Sequence, residues 1–434
     1  MVTQNADTAT AALKSIVSDF EKQNPDITVD LQFRAVDAHK DALRTTAGSS
    51  SGPDIYYNWA GPGLGGELVK SGVSLDLSRY YQQYKWTDRF NASTLSAYTQ
   101  YGGHHGLPWT QRTEVVYYHK DQFGKAGISA PPTTYAEWAA AAQKLKDAGL
   151  TPISMGGKDN WHVMRLLDTF IETNCGAELA DKLNTRSASW AGQSCVATSF
   201  EQLKQWSDNY FNKGFAGLPQ TEAGALFHTG KSAMQIEGDW FTQQNIDAGD
   251  DQDNVGVFPL PTGTGRLYGF SEGMYISKSS THPDQAAKFL DYFTSAAVEG
   301  KYLGVFSSVP VNKDTTSANT PQPLNAQIAE LAGKAKGFFL NNDQNFPTDV
   351  TTEYWRIQNG VTSGSIAPKE AGALLQDQQA RTVPLALQAF QSQFASNYGQ
   401  LNAFIIMSIL PVLIVYLMFQ RFFTQGALAG AIKG

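Results

Sequence analysis

Helix and strand signals take turns along this chain, and that alternation restricts the fold more than any other feature. TATAALKSIVSDFEKQNP sets Leu13, Ile16, Val17 and Phe20 on one face at helical spacing, with Thr8 or Thr10 as cap and Pro25 beyond the end. ITVDLQF then alternates like a half-buried strand, a second helix is predicted around Asp37 to Thr46, and PDIYYNWA reads as another strand. PPTTYAEWAAAAQKLKDAG is an amphipathic helix with Thr134 and Glu137 as a capping box and Gly149 at its end, and TPISMG supplies the next strand. HPDQAAKFLDYFTS is a further helix, whereas KDTTSANTPQPLNAQ reads as a polar loop. Strands joined through helices call for βαβ units and an α/β sheet of mainly parallel strands.

At 434 residues the chain exceeds what one hydrophobic core serves, so two or more domains are expected. Aromatic residues make up 12% with 9 Trp, more than packing alone requires, and a ligand cleft is one place to put them. The net charge of -7 and the lack of a basic cluster exclude nucleic acid as a partner. Cys175 and Cys195 form no CxxC and have no His at ligand spacing, so zinc and dithiol redox chemistry have no support. A local disulfide suits a chain exposed to an oxidising compartment, and two separate buried thiols are the alternative. The N-terminal MVTQNADTAT has neither the basic nor the apolar part of an export signal.

Several motifs invite chemistry and return little. GPGLGG fits G-x-G-x-x-G through Gly61, Gly63 and Gly66, after a strand and before a helix, but Pro62 removes an amide and the strand is not the first of its sheet. A flexible loop at the carboxyl end of a strand is the better reading. His104 and His105 lack partners for a metal and read as a turn, and DAGDDQDNVG lacks the EF-hand positions and reads as a solvated acidic loop. Glu237, Asp239 and Glu272 would serve glycoside hydrolysis if they met across a cleft. No cofactor is called for.

Taken in order, PDIYYNW with its Gly-rich loop, VVYYHKDQFGKAGISAPPTTYAEW, GKSAMQIEGDW, VGVFPLPTGTG and SEGMYISKSSTHPDQAAKFLDYFTS resemble the carbohydrate-binding proteins of ABC importers over residues 8 to 381. The resemblance implies a two-lobed α/β periplasmic-binding-protein fold of type II, hinged around an inter-lobe cleft that closes on a sugar. It assigns residues 1–110 and 262–311 to an N-terminal lobe and 111–261 and 312–381 to a C-terminal lobe. Crossings are expected near Trp109 to Thr113, Phe258 to Gly263 and Val309 to Asp314. It further implies a non-catalytic protein at the extracellular or periplasmic face of a bacterial membrane, with permease subunits, and through them the ATPase, as partners.

A pyranose presents apolar C–H faces and a rim of hydroxyls, so its site needs flat aromatics and polar side chains at their edges. The expected sugar-binding residues are Asn58, Trp59, Arg112, Trp161, His162, Glu237, Asp239, Trp240, Phe270, Glu272 and Trp355. Core packing is the competing role for each Trp, and Trp138 and Trp206 occupy core-like helix positions. The competing function is a secreted glycoside-acting enzyme built on the same aromatics and two of the carboxylates.

Two departures from the family stand out. Only MVTQNAD precedes the first helix, so the family's first strand is either reduced to Val2 to Gln4 or lost. Residues 382–434 resemble instead the C-terminal end of a carbohydrate importer's permease. Within them Leu401 to Phe419 would span about 28 Å as a hydrophobic, transmembrane-type helix. Arg421 and Lys433 follow it and no Lys or Arg lies between Thr382 and Leu401, which puts the tail on the cytoplasmic side.

Overall fold

The computed structural model describes residues 1–4, 7–34, 36–46, 48–49, 52–315, 322–376 and 406. Residues Met1–Gln376 form one compact unit. The apolar stretch 401–419 lies outside the described residues except for Ile406. Among the described residues no helix is long and apolar enough to cross a membrane.

Among the described residues nine strands make one continuous sheet: β1 (Val2–Gln4), β2 (Gln32–Arg34), β3 (Ile55–Trp59), β4 (Leu107–His119), β5 (Ile153–Ser154), β6 (Met234–Gly238), β7 (Val255–Phe258), β8 (Leu267–Ile276) and β9 (Phe338–Leu340). The order is β2-β1-β3-β8-β4-β6-β5, with β7 on β4 and β9 on β8. Val2–Gln4 sits between β2 and β3, parallel to both, so the short N-terminal segment fills the inner position that the sequence left in question. The following helix starts at Asp7, ahead of the expected caps, and buries Leu13, Ile16, Val17 and Phe20 as their spacing requires.

The sheet is mixed rather than mainly parallel. The helix-linked strands pair in parallel (β1 with β2 and β3, β5 with β6), but β4 and β8 run antiparallel to each other and to most neighbours. They are also the long strands, of 13 and 10 residues, and each changes partners along its length. The start of β4 pairs with β8 and its end with β6 and β7. Similarly, Leu267–Gly269 of β8 pairs with β9, whereas Glu272–Ile276 pairs with β3. β4 carries the chain from the side of β3 to that of β6, and β8 carries it back, so the two strands traverse the sheet in opposite directions.

Inside β4 the partner changes from β8 to β6 at Glu114, and inside β8 from β9 to β3 between Gly269 and Glu272. Val309 and Asn312 bridge Gln111 and Phe90.

Separate cores flank the crossing strands. Leu13, Ile16, Phe20, Trp86, Trp109, Phe289 and Phe293 belong to one, and Val115, Tyr117, Phe227, Phe241 and Ile328 to another. Trp138 and Trp206 are fully buried with centroids 4.5 Å apart, as their helix positions predict. The capping box of Thr134 and Glu137 is present. Cys175 and Cys195 are disulfide-bonded, joining the helix Asn160–Asn184 to the helix Ser194–Asn209.

Candidate functional site

Two indoles and two guanidiniums meet beside the crossing strands. Trp240 follows β6, and Trp161 and Arg165 lie one turn apart on the helix Asn160–Asn184, where i and i+4 share a face. The Arg165 guanidinium lies 4.7 Å from the Trp161 ring centroid and 5.5 Å from that of Trp240. Arg112, from β4, lies 5.5 Å from the same Trp240 ring, whose neighbour Phe270 is 5.7 Å away. Trp161 and Trp240 are only half-buried, so part of each ring stays at the surface. Such cation–π contacts fix ring orientation and are each worth about 0.5–2 kcal/mol.

Carboxylates hold both arginines. Arg165 Nη1 donates to Glu237 Oε2 at 2.8 Å, and its Nε lies 2.9 Å from Glu114 Oε2. Arg112 donates through Nε to Glu272 Oε2 at 2.9 Å and through Nη1 to Asp239 Oδ1 at 3.3 Å. Glu272 also accepts from Thr110 Oγ1 at 2.6 Å and from the Tyr57 hydroxyl, and Asp239 Oδ2 accepts from the Ser308 amide at 2.6 Å. All these charges are almost fully buried, so none is dispensable: removing one partner leaves the other stranded.

Electrostatics sort the carboxylates. Burial pushes Glu114 up to about 7, against the pull of Arg165 and with repulsion from Glu237. Glu237 feels the same burial, but Arg165, His162 and Gln220 overcome it and hold its carboxyl below the usual range. Asp239 is raised, because its burial outweighs Arg112. His162 is wholly buried and pushed down to about 4, hence neutral, and its Nδ1 accepts from the Gly156 amide at 2.9 Å.

The first lobe contributes Trp59 at the end of β3, with Lys40 Nζ 4.7 Å above its ring. Asn58 Oδ1 is turned back to the Trp59 amide at 3.0 Å. Trp59 packs on Tyr57, whose hydroxyl meets Glu272, and Glu272 binds Arg112 under Trp240. The expected residues from both lobes are therefore linked into one assembly. Trp355 is buried, with Nε1 donating at 3.2 Å to the Sδ of Met164, which lies on the helix that carries Trp161 and Arg165.

Several expected ligand contacts have other occupations. Arg112 pairs with Asp239 and Glu272, Glu237 pairs with Arg165, His162 Nδ1 accepts from the Gly156 amide, and Phe270 is buried against Trp240. Asp239 and Glu272 share one arginine rather than facing each other across open space, which removes the carboxylate arrangement that glycoside hydrolysis requires. Among the described residues no group of three or more His, Cys, Asp or Glu is disposed to hold a metal ion.

Sequence reasoning missed Arg165, Lys40, Glu114 and Asp343. Arg165 had a signal, its i+4 spacing from Trp161. Asp343 had none: it is a polar residue in a short helix, Asn342–Asn345, and only the fold brings it near Lys40 and Arg165. Its carboxyl is raised by burial despite both cations, and its Oδ1 is buried without a hydrogen-bond partner.

Known proteins agree with this architecture. The multiple sugar-binding protein of Streptococcus mutans is 25% identical over 385 residues, covering 82% of this chain and 86% of that one. The maltodextrin-binding protein of Bacillus subtilis is 24% identical over 316 residues, covering 69% and 70%. A solved chitin oligosaccharide binding protein superposes with a TM-score of 0.77 at 25% identity, over 87% of this chain and 96% of that one. These likenesses make the fold a two-lobed periplasmic-binding-protein fold. The family described as bacterial extracellular solute-binding protein matches residues 6–300, well over half of the chain, and the chain belongs to that family.

Proposed function

We propose that this protein is the receptor of a carbohydrate ABC importer, binding a mono- or oligosaccharide between its lobes and presenting it to the permease. The observation that carries the reading is the half-buried pair Trp161 and Trp240 oriented by Arg165, a rigid aromatic surface at which a pyranose C–H face can stack. Trp59, buried beneath Lys40, is a second aromatic that would face the sugar when the lobes part, and Asp343 Oδ1, buried without a hydrogen-bond partner, is an acceptor for a sugar hydroxyl. Membership in a family of binding proteins makes it a receptor and not an enzyme, and puts it outside the cytoplasmic membrane. Names of relatives that bind multiple sugars, maltodextrin or chitin oligosaccharide support carbohydrate as the solute class.

Arg112, Glu237, Asp239, Glu272 and His162 act in this reading as the frame that positions Trp240, whereas Trp59, Trp161, Trp240 and Asp343 touch the sugar. Strands β4 and β8 are the hinge, so the lobe limits fall near residues 111 and 270, with the third passage after Asp314. The segment 382–434 is the permease-like part, and on length and composition Leu401 to Phe419 would tether the receptor to the bilayer. Melting curves with maltotriose, raffinose, chitobiose and galactose test the assignment: a sugar-dependent rise without product formation supports it, and turnover points to an enzyme.

A further inference from the structure

Trp161, Arg165 and Asp168 follow one another at i, i+4 and i+7 on the helix Asn160–Asn184, so they share one face of it. Asp168 is buried, and four donors converge on its carboxylate. The Tyr354 hydroxyl and Asn342 Nδ2 each reach Oδ1 at 2.8 Å, whereas the Tyr268 hydroxyl reaches Oδ2 at 2.8 Å and the Asn342 amide reaches it at 3.0 Å. An ionised carboxylate has about four lone-pair sites and no proton to give, so these donors fill it. Nothing is left over for a sugar hydroxyl, and Asp168 bears on the solute only through what it holds.

What it holds is the segment that carries Asp343. The helix Asn342–Asn345 has 4 residues, and isolated helices shorter than about 12 are marginal, so anchors outside it must fix its place. Asn342 is tied to Asp168 through both main chain and side chain, and the preceding Asn341 donates through Nδ2 to Glu114 Oε1 at 3.2 Å. Within the segment, the Gln344 amide donates to the Asn341 carbonyl at 3.0 Å and the Phe346 amide to that of Asn342 at 2.8 Å. Glu114 is itself paired with Arg165. The helix that orients the indoles through Arg165 therefore also fixes the backbone on either side of Asp343.

We propose that Asp168 is a positioning residue of the sugar site, which through Asn342 sets the Asp343 carboxylate relative to Trp161 and Arg165 and so decides which sugar hydroxyl is recognised. The proposal rests on the receptor reading, with Asp343 touching the sugar. An aromatic ring stacks on any pyranose face, whereas a buried acceptor discriminates by where a hydroxyl lies. Asp168 thus governs which sugar is preferred rather than whether sugars bind.

Two measurements on the full chain test it. Hydrogen exchange without sugar reads the positioning itself. In Asp168→Asn one oxygen becomes an amino group facing two donors, so the amides of Asn342, Gln344 and Phe346 should exchange about tenfold faster than in wild type, with an unchanged circular dichroism spectrum. Exchange equal to wild type overturns the proposal whether or not a sugar binds. Calorimetric titration with whichever of maltotriose, raffinose, chitobiose and galactose binds wild type most tightly reads the consequence. Asp343→Asn should lower affinity about tenfold, and Asp168→Asn should lower it about fivefold in the wild-type background but leave it unchanged in Asp343→Asn. The same loss in both backgrounds, or no loss from Asp343→Asn, overturns the positioning role while the receptor reading stands. A wild type that binds none of the four sugars contradicts the receptor reading, and the role assigned to Asp168 falls with it.

Discussion

Trp161 and Trp240 share one guanidinium: Arg165 lies 4.7 Å from the first ring and 5.5 Å from the second. The planar group stacks while its edge binds Glu237 and Glu114, a combination that a point-charge ammonium cannot reproduce. Arg165→Lys should therefore cost sugar affinity by roughly tenfold or more. Calorimetric titration checks this, and an unchanged dissociation constant would show that ring orientation does not depend on the fork.

Arg112 neutralises two buried carboxylates, Asp239 and Glu272, at the crossing strands. Arg112→Ala strands both and should destabilise the fold by about 3–5 kcal/mol. Denaturant unfolding measures it; a loss under about 1 kcal/mol would mean that water enters and solvates the pair.

The pH dependence of Glu114 has a definite sign. An ordinary glutamate ionises near 4.5, and burial holds this one up to about 7. Between those values the folded state keeps a proton that the unfolded chain has released. Its contribution is complete below about pH 4.5 and lost as pH rises through about 7. His39 and His162, both held down to about 4 by burial, act oppositely: their contribution is present above 6.5 and lost as pH falls through about 4. The total profile is therefore flattened, and the comparison with Glu114→Gln isolates the carboxyl. The variant should gain stability relative to wild type from about pH 5 to 7.5. Parallel curves across that range would contradict the shift.

Cys175 and Cys195 close a loop with a separation of 20 residues. Reduction, or the Cys175→Ser/Cys195→Ser double variant, should cost about 3 kcal/mol through the freed unfolded chain. A melting temperature indifferent to dithiothreitol would refute this.

Local features were legible in the sequence where local chemistry decides them. The buried face of the first helix, the Thr134–Glu137 box and the core positions of Trp138 and Trp206 follow from spacing and capping alone. The antiparallel run of β4 and β8 was not legible, because strand direction depends on which distant segment becomes the neighbour. Among candidate site residues, the tryptophans stand out in the sequence by type. The division between those touching solvent and those framing the site does not, since Arg112, Asp239 and Glu272 look like free polar groups until the fold pairs them. Lys40 and Asp343 come from segments about 300 residues apart and meet only through the tertiary structure.

In the proposed function Trp240 touches the sugar, and titration of wild type and Trp240→Ala with the sugar that most raises the melting temperature measures that contact. The expected result is saturable binding by wild type without product, and an affinity loss of about thirtyfold or more in the folded variant. Equal affinity in both proteins, or no sugar that binds the wild type, would contradict it.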